Sequence, residues 1–181
     1  MSAPGRRRHG AWLVVCLWLA AGASAEVTSS GPGGFVSEHE LIVDGTPERV
    51  FTALTVEVAS WWDATHSYSG DAANFSLTPE PGGCFCERLP GGGGVEHMRV
   101  VFAQPGRLLR LEGGLGPLQG MGVSGAMDFA LEPAGEDRTR LRYRYAVSGF
   151  APGGLEALAM PVDQVQLGQL QRLAAHLSNP R

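Results

Sequence analysis

The chain of 181 residues contains no lysine. That absence removes three kinds of site together, because a P-loop, a Schiff-base enzyme and a Ser–Lys dyad all need the amine. Positive charge of any kind is in the minority, with 14 arginines against 18 acidic residues. Such a balance argues against nucleic acid or anionic lipid as the main partner. An apolar run able to span a bilayer is also missing: the longest, residues 11–22, falls well short of the roughly 20 residues a helix needs. No repeat with a period of 20–50 residues is visible. Cysteine is scarce, and two of the three form a single C-x-C pattern at Cys84 and Cys86.

What is present begins with an address label. Arg6, Arg7, Arg8 and His9 precede the apolar run, and "ASA" at residues 23–25 supplies the small residues of a signal-peptidase site. Residues 1–25 are therefore expected to be a signal peptide, cleaved before Glu26, with the mature protein periplasmic or secreted and without a membrane anchor. Its formal charge would be about −7. Residues 26–34 read as a polar, glycine-containing linker, and residues 35–181 as one domain able to bury a core.

Within that domain, "FVSEHELIV" alternates as a half-buried strand. Thr46 and Pro47 mark a helix start, and "EVASWWDATH" a second short helix. Strands follow, separated by glycine- and proline-rich turns. In "VSGAMDFALEP", Val123, Met127, Phe129 and Leu131 share a face. In "RTRLRYRYAV", Leu141, Tyr143, Tyr145 and Val147 oppose an arginine row. Residues 154–178 form a long apolar-periodic helix that Pro161 is expected to kink or split. The order gives an α+β fold, a curved antiparallel sheet closed by the last helix.

The segment "GMGVSG" (residues 120–125) matches G-x-G-x-x-G, a dinucleotide-binding fingerprint when a helix follows. Here "AMDFALEP" follows, with a period of two. No βαβ unit surrounds the motif, and arginines stand where a ribose-binding acid is needed. The glycines therefore read as a loop and bulge at the mouth of a pocket. No cofactor is expected.

The element order, "TPERVFTALT" before "WW", "PGGCFCERLPGGGGVEHMRVVF" and the late amphipathic helix together resemble the START-like, SRPBCC superfamily, in its polyketide-cyclase-like and heat-shock-ATPase-activator-like branches. The resemblance spans residues 35–178. It implies a helix-grip fold with an apolar cavity between sheet and last helix, closed at one end by the helix pair. Members bind lipids, sterols, polyketides or hormones, and some are enzymes. By that resemblance Trp61 or Trp62, with His66, would touch ligand.

Closing "PGGGG" symmetrically pairs Glu87 with His97 and Cys86 with Met98. Cys84, Cys86, Met98, Val100, Phe102, Leu109 and Leu111 then share an apolar, cavity-facing side. Glu87, His97, Arg99, Arg110 and Glu112 face solvent, and a slip of one residue would reverse the assignment. In this register Glu87 and His97 are a cross-strand ion pair worth about 0.2–1 kcal/mol. The alternative is an acid–base pair inside the cavity, with His66 as a third candidate. Asp63, His66, Glu87 and His97 have no recognised metal-ligand spacing, so no metal site is assigned. Cys84 and Cys86 are expected as small buried residues, because positions i and i+2 of a strand lie about 6.5–7 Å apart; a disulfide would have to pinch the strand. Tyr143 and Tyr145 add hydroxyls to an apolar wall.

The expected ligand-binding set is thus Trp61, Trp62, His66, Cys86, Met98, Phe102, Leu111, Phe129, Tyr143 and Tyr145. The function expected is an exported binding protein for a small hydrophobic or amphipathic molecule, a monomer or weak homodimer. A cyclase or hydrolase using Glu87 and His97 is the alternative, and an interaction module built on the last helix a third.

Overall fold

The computed structural model describes residues 27–179, so the expected signal peptide lies outside the described residues. Eight strands form one antiparallel sheet: β1 (Val27–Gly31), β2 (Gly34–Asp44), β3 (Phe75–Leu77), β4 (Cys84–Arg88), β5 (Gly94–Gln104), β6 (Leu108–Glu112), β7 (Ser124–Pro133) and β8 (Arg138–Ser148). Helices α1 (Pro47–Thr55) and α2 (Val58–Trp61) follow β2, and α3 (Glu156–Ser178) ends the chain. The spatial order is β1-β2-β8-β7-β6-β5-β4-β3. Strands β3 to β8 are therefore a meander, and β8 returns beside β2. The sheet curls round α3, which packs on β1, β2, α1 and α2. This is the α+β helix-grip fold that the element order predicts.

Local chemistry explains most of these elements. The Thr46 side chain accepts a hydrogen bond from the Arg49 N–H, with Pro47 in the first turn, so α1 starts where its cap lies. In β8, Leu141, Tyr143, Tyr145 and Val147 are buried. Arg140, Arg142 and Arg144 face out and pair with Glu38 and Glu40 on β2 and Glu132 on β7. Exposed pairs of this kind contribute about 0–1 kcal/mol each; burial of the opposite, apolar face stabilises the strand more. Pro161 does not split α3, which runs unbroken from Glu156 to Ser178.

Two expectations need correction. The first is the linker: residues 27–31 form the edge strand β1, paired with β2 through Gly31 and Gly34. Their polar character suits an edge strand whose side chains are mostly exposed. The second is the register of the β4–β5–β6 region, where two bulges break the symmetric pairing. Glu87 lies opposite Val95 and Cys86 opposite Glu96, but Phe85 lies opposite Met98. His97 is thus the extra residue on β5, and the bulge turns both His97 and Met98 inward. On β4 the parity is reversed from expectation: Phe85 and Glu87 face in, Cys84 and Cys86 face out. A second bulge at Val101 sets Phe102 opposite Arg110, so Phe102 points outward.

Candidate functional site

A cavity of about 390 Å³ opens between three segments of chain. The helix-pair side contributes Trp62, Thr65, His66, Ser67 and Tyr68. The glycine-rich loop contributes Leu115, Gly116, Pro117, Leu118 and Met121. The first half of α3 contributes Leu158, Pro161, Val162, Val165 and Gln166, and His97 completes the wall from β5. Among these lining residues there is no Asp, Glu, Arg or Lys.

The glycine-rich loop owes its position to a few specific contacts. Gly113 and Gly125 exchange two backbone hydrogen bonds at its base, of 2.9 and 3.0 Å. A Cβ on Gly125 would stand 2.5 Å from the Ala146 carbonyl, so only glycine lets the strands approach so closely. At the tip a short 3-10 turn, Gly116–Met121, ends on Gly122 at φ 71, a left-handed conformation. The Tyr145 hydroxyl accepts from the Leu115 N–H and donates to the Gly113 carbonyl, both at 3.1 Å. Burial pushes this phenol up to about 12, partly offset by the Leu115 bond, so the hydroxyl stays protonated. It holds the loop down and is not free for a ligand.

Glu87 and His97 meet inside the fold, at 1 % and 4 % exposure. The His97 Nε2 lies 2.9 Å from Glu87 Oε2. The carboxylate also accepts from the backbone N–H groups of Tyr68 (3.1 Å) and Ser69 (2.5 Å). Burial would raise the Glu87 carboxyl, but the bonds from Ser69, Tyr68 and His97 prevail and hold it below the usual range. Burial lowers His97 despite the opposing pull of Glu87. At neutral pH the pair is therefore a carboxylate and a neutral imidazole, with Nε2–H donating to Glu87. The ring is stacked between Tyr68 (5.8 Å) and Phe75 (5.2 Å), beside Phe85. Its Nδ1 is buried without a hydrogen-bond partner among the described residues. The pair is thus a buried imidazole held in place by an anion, with the His97 ring at the edge of an apolar cavity.

A second buried polar cluster lies beneath α3. The Ser37 hydroxyl donates to Asp163 Oδ1 at 2.6 Å, and His39 Nε2 lies 3.0 Å from the same oxygen. Tyr143 stacks on His39 with its hydroxyl unpaired among the described residues, and burial, with Tyr145 and Asp163 nearby, raises that phenol well above its usual value. Sequence reasoning missed this cluster, although Ser37 and His39 alternate onto the apolar face of β2. It lies outside the main cavity, Tyr143 alone reaching the small inner void, and it tethers α3 to the sheet.

The predicted site residues divide accordingly. Trp62, His66 and His97 line the main cavity. Leu111, Phe129 and Tyr143 line a separate inner void of about 20 Å³, together with Trp61 and also Trp62 and Gln166, which border both spaces. Trp61 gives its indole N–H to the Ala53 carbonyl, a packing role. Met98 is core. Cys86 and Phe102 lie on the outer face, and Cys84 and Cys86 form a disulfide rather than two free buried thiols. Tyr68, the loop apolars and the α3 residues were not foreseen. Pro117, Leu118 and Met121 were legible only as part of a glycine-rich loop.

No family model and no curated protein matches the chain. Solved structures do. Protein MLL2253 from Mesorhizobium loti is 19% identical over 81% of this chain and 98% of its own, with a TM-score of 0.58. CalU16 from Micromonospora echinospora is 15% identical over 87% and 85%, with a TM-score of 0.52. DynU16, from the dynemicin biosynthetic locus, is 17% identical over 81% and 48%, with a TM-score of 0.54. The chain shares with them an α+β helix-grip fold. At these identities the likeness concerns the fold and leaves the activity open.

Proposed function

We propose that this is an exported protein that holds one small, uncharged, largely apolar molecule in the cavity beneath the glycine-rich loop. One observation carries the reading: the cavity has the size of a small-molecule site, its lining is mainly apolar, and it contains no carboxylate, guanidinium or amine. The few polar groups present, among them the Gln166 amide and the His97 ring, suit a ligand with one hydroxyl or carbonyl at its edge. The protein would act as a monomer or weak homodimer, without a membrane anchor once the signal is removed.

The test is native mass spectrometry of the protein purified without denaturation from its own host. A single small adduct is expected, and Val162→Trp, which fills the cavity, should lose it. A protein that is adduct-free and also fails to take up neutral apolar probes contradicts the reading.

The inward Glu87–His97 pair favours a second reading, in which the bound molecule is also transformed. Nδ1 is buried as the structure stands. The His97 ring would have to turn, or its neighbours give way, before Nδ1 could take a proton from an acidic C–H, a hydroxyl or a water, with Glu87 stabilising the imidazolium that forms. If the purified protein converts its adduct, His97→Gln should abolish conversion while binding survives. Unchanged turnover would remove His97 from the chemistry. The third reading finds no support, since Met160 is the one large apolar side chain that α3 exposes among the described residues.

A further inference from the structure

Cys84 and Cys86 are bridged across Phe85 at a Cα–Cα distance of 5.3 Å. Free extended strand separates such positions by about 6.5–7 Å, so the bridge shortens β4 by roughly 1.5 Å. The shortening falls at the step where the β4–β5 register shifts. The two residues it positions are Phe85 and Glu87. Phe85 packs on Trp62 (5.2 Å) and His97 (5.5 Å), and Glu87 carries the bonds to His97, Tyr68 and Ser69. Tyr68 and its neighbours from Thr65 on are cavity wall.

Both cysteines are half-buried on the outer face of the sheet, within reach of an external thiol. Arg99 lies opposite Cys84 and Glu96 opposite Cys86 on the same ladder, and these two side chains are paired with each other at 2.8 Å. The bridge closes a very short loop, with a sequence separation of 2. Loop-closure entropy grows with loop length, so this bridge adds little to global stability and its opening leaves the fold standing. A bond that stabilises little, is reachable from outside and sits one residue from Glu87 is placed to be opened and closed.

We propose that Cys84–Cys86 is a thiol-exchange site for dithiol reductants, and that its redox state sets the placement of Glu87 and hence the cavity wall. The thiolate of a dithiol attacks one Sγ, the S–S bond breaks, and the other cysteine leaves as thiolate and takes a proton. The reductant's second thiol then attacks the mixed disulfide, releasing the second cysteine and departing as a cyclic disulfide. Two electrons and two protons reach the protein. With the bridge open, β4 relaxes toward its extended length. A shift of about 1 Å at Glu87 exceeds what its three hydrogen bonds tolerate, so the segment from Thr65 to Ser69 loosens. The consequence for ligand rests on the cavity reading above; the exchange and the movement of Glu87 do not.

The full chain is treated with dithiothreitol and reoxidised, with three measurements on each form. Alkylation should find two additional thiols in a protein with unchanged far-UV circular dichroism. The amide resonances of Tyr68 and Ser69, which donate to Glu87, should shift on reduction and return on reoxidation. Affinity for Nile red, a neutral apolar dye, should fall at least tenfold in the reduced form. The Cys84→Ser/Cys86→Ser double variant should match the reduced form and ignore the reductant. Thiols that appear only on unfolding, or Tyr68 and Ser69 resonances that do not move, overturn the proposal whatever the dye does. A dye that binds neither form contradicts the cavity reading instead.

Discussion

Glu87→Gln probes the interior pair directly, and its cost can be worked from the geometry. The wild-type carboxylate is 1 % exposed and accepts three hydrogen bonds, from Tyr68 N, Ser69 N and His97 Nε2. A glutamine keeps the shape but replaces one acceptor oxygen with an NH₂ group. That group must face at least one donor, which loses its partner. One buried unsatisfied donor costs about 1–3 kcal/mol. Glu87→Leu removes all three acceptors and should approach the roughly 3–5 kcal/mol seen when one member of a buried charged pair is deleted. Urea unfolding with linear extrapolation should therefore rank wild type above Glu87→Gln and Glu87→Gln above Glu87→Leu, with similar m values. Losses below about 0.5 kcal/mol in both variants, the range of ordinary surface changes, would place Glu87 on the outer face and refute the bulged register.

Acidification should destabilise the protein in two limbs. Burial holds His97 below its ordinary value, so below about pH 6.5 the unfolded chain binds a proton the folded one refuses, and stability falls as pH falls; Glu87, also lowered, adds a second loss in the carboxylate range. His97→Gln should flatten the upper limb and keep the lower, and an unchanged upper limb in a denaturation series would show that His97 is not its source. Met98→Glu, at a site 1 % exposed, should cost several kcal/mol by stranding a carboxylate, whereas Arg142→Glu on the outer face should cost about 1 kcal/mol or less; equal Tm shifts would refute the inner–outer parity. Tyr145→Phe leaves the Leu115 N–H without its acceptor, so the Leu115 amide should exchange hydrogen faster and bound ligand should dissociate faster, while exchange at the wild-type rate would show that the hydroxyl does not hold the loop. N-terminal sequencing of exported protein should begin at Glu26, and full-length chain recovered from washed membranes would contradict cleavage.

Alternation made β8 legible at once, because four apolar and four arginine positions interleave with no break. The same rule failed on β4 and β5. A bulge adds one residue to one strand and leaves no mark in hydropathy. Met98, Val100, Leu109 and Leu111 therefore face in as expected, while the parity of β4, paired across the bulge, is inverted. Glu87 and His97 were thus identified as a pair but assigned to the outer face, and Cys86 and Phe102 to the inner one. The composition of "CFCERL" held a hint: Phe85 is a better core residue than either cysteine, and its side fixes that of Glu87. The cavity walls from α3 and the loop were harder to foresee, since Val162 and Val165 read as ordinary helix residues and Pro161 only as a kink. Their role appears only once α3 is laid across the sheet. The Asp163–Ser37 contact joins residues 126 positions apart, a distance over which local pattern carries no information.

The claim that the cavity beneath the glycine-rich loop is the ligand site is tested most directly by methyl NMR during titration with a neutral apolar probe such as Nile red. The account predicts that perturbed methyl groups cluster on Leu118, Met121, Leu158, Val162 and Val165, all of which line that cavity, together with the His97 ring protons. Shifts confined to the outer face around Phe102, or to the polar cleft between Arg49, Glu57, Arg172 and His176, would contradict it.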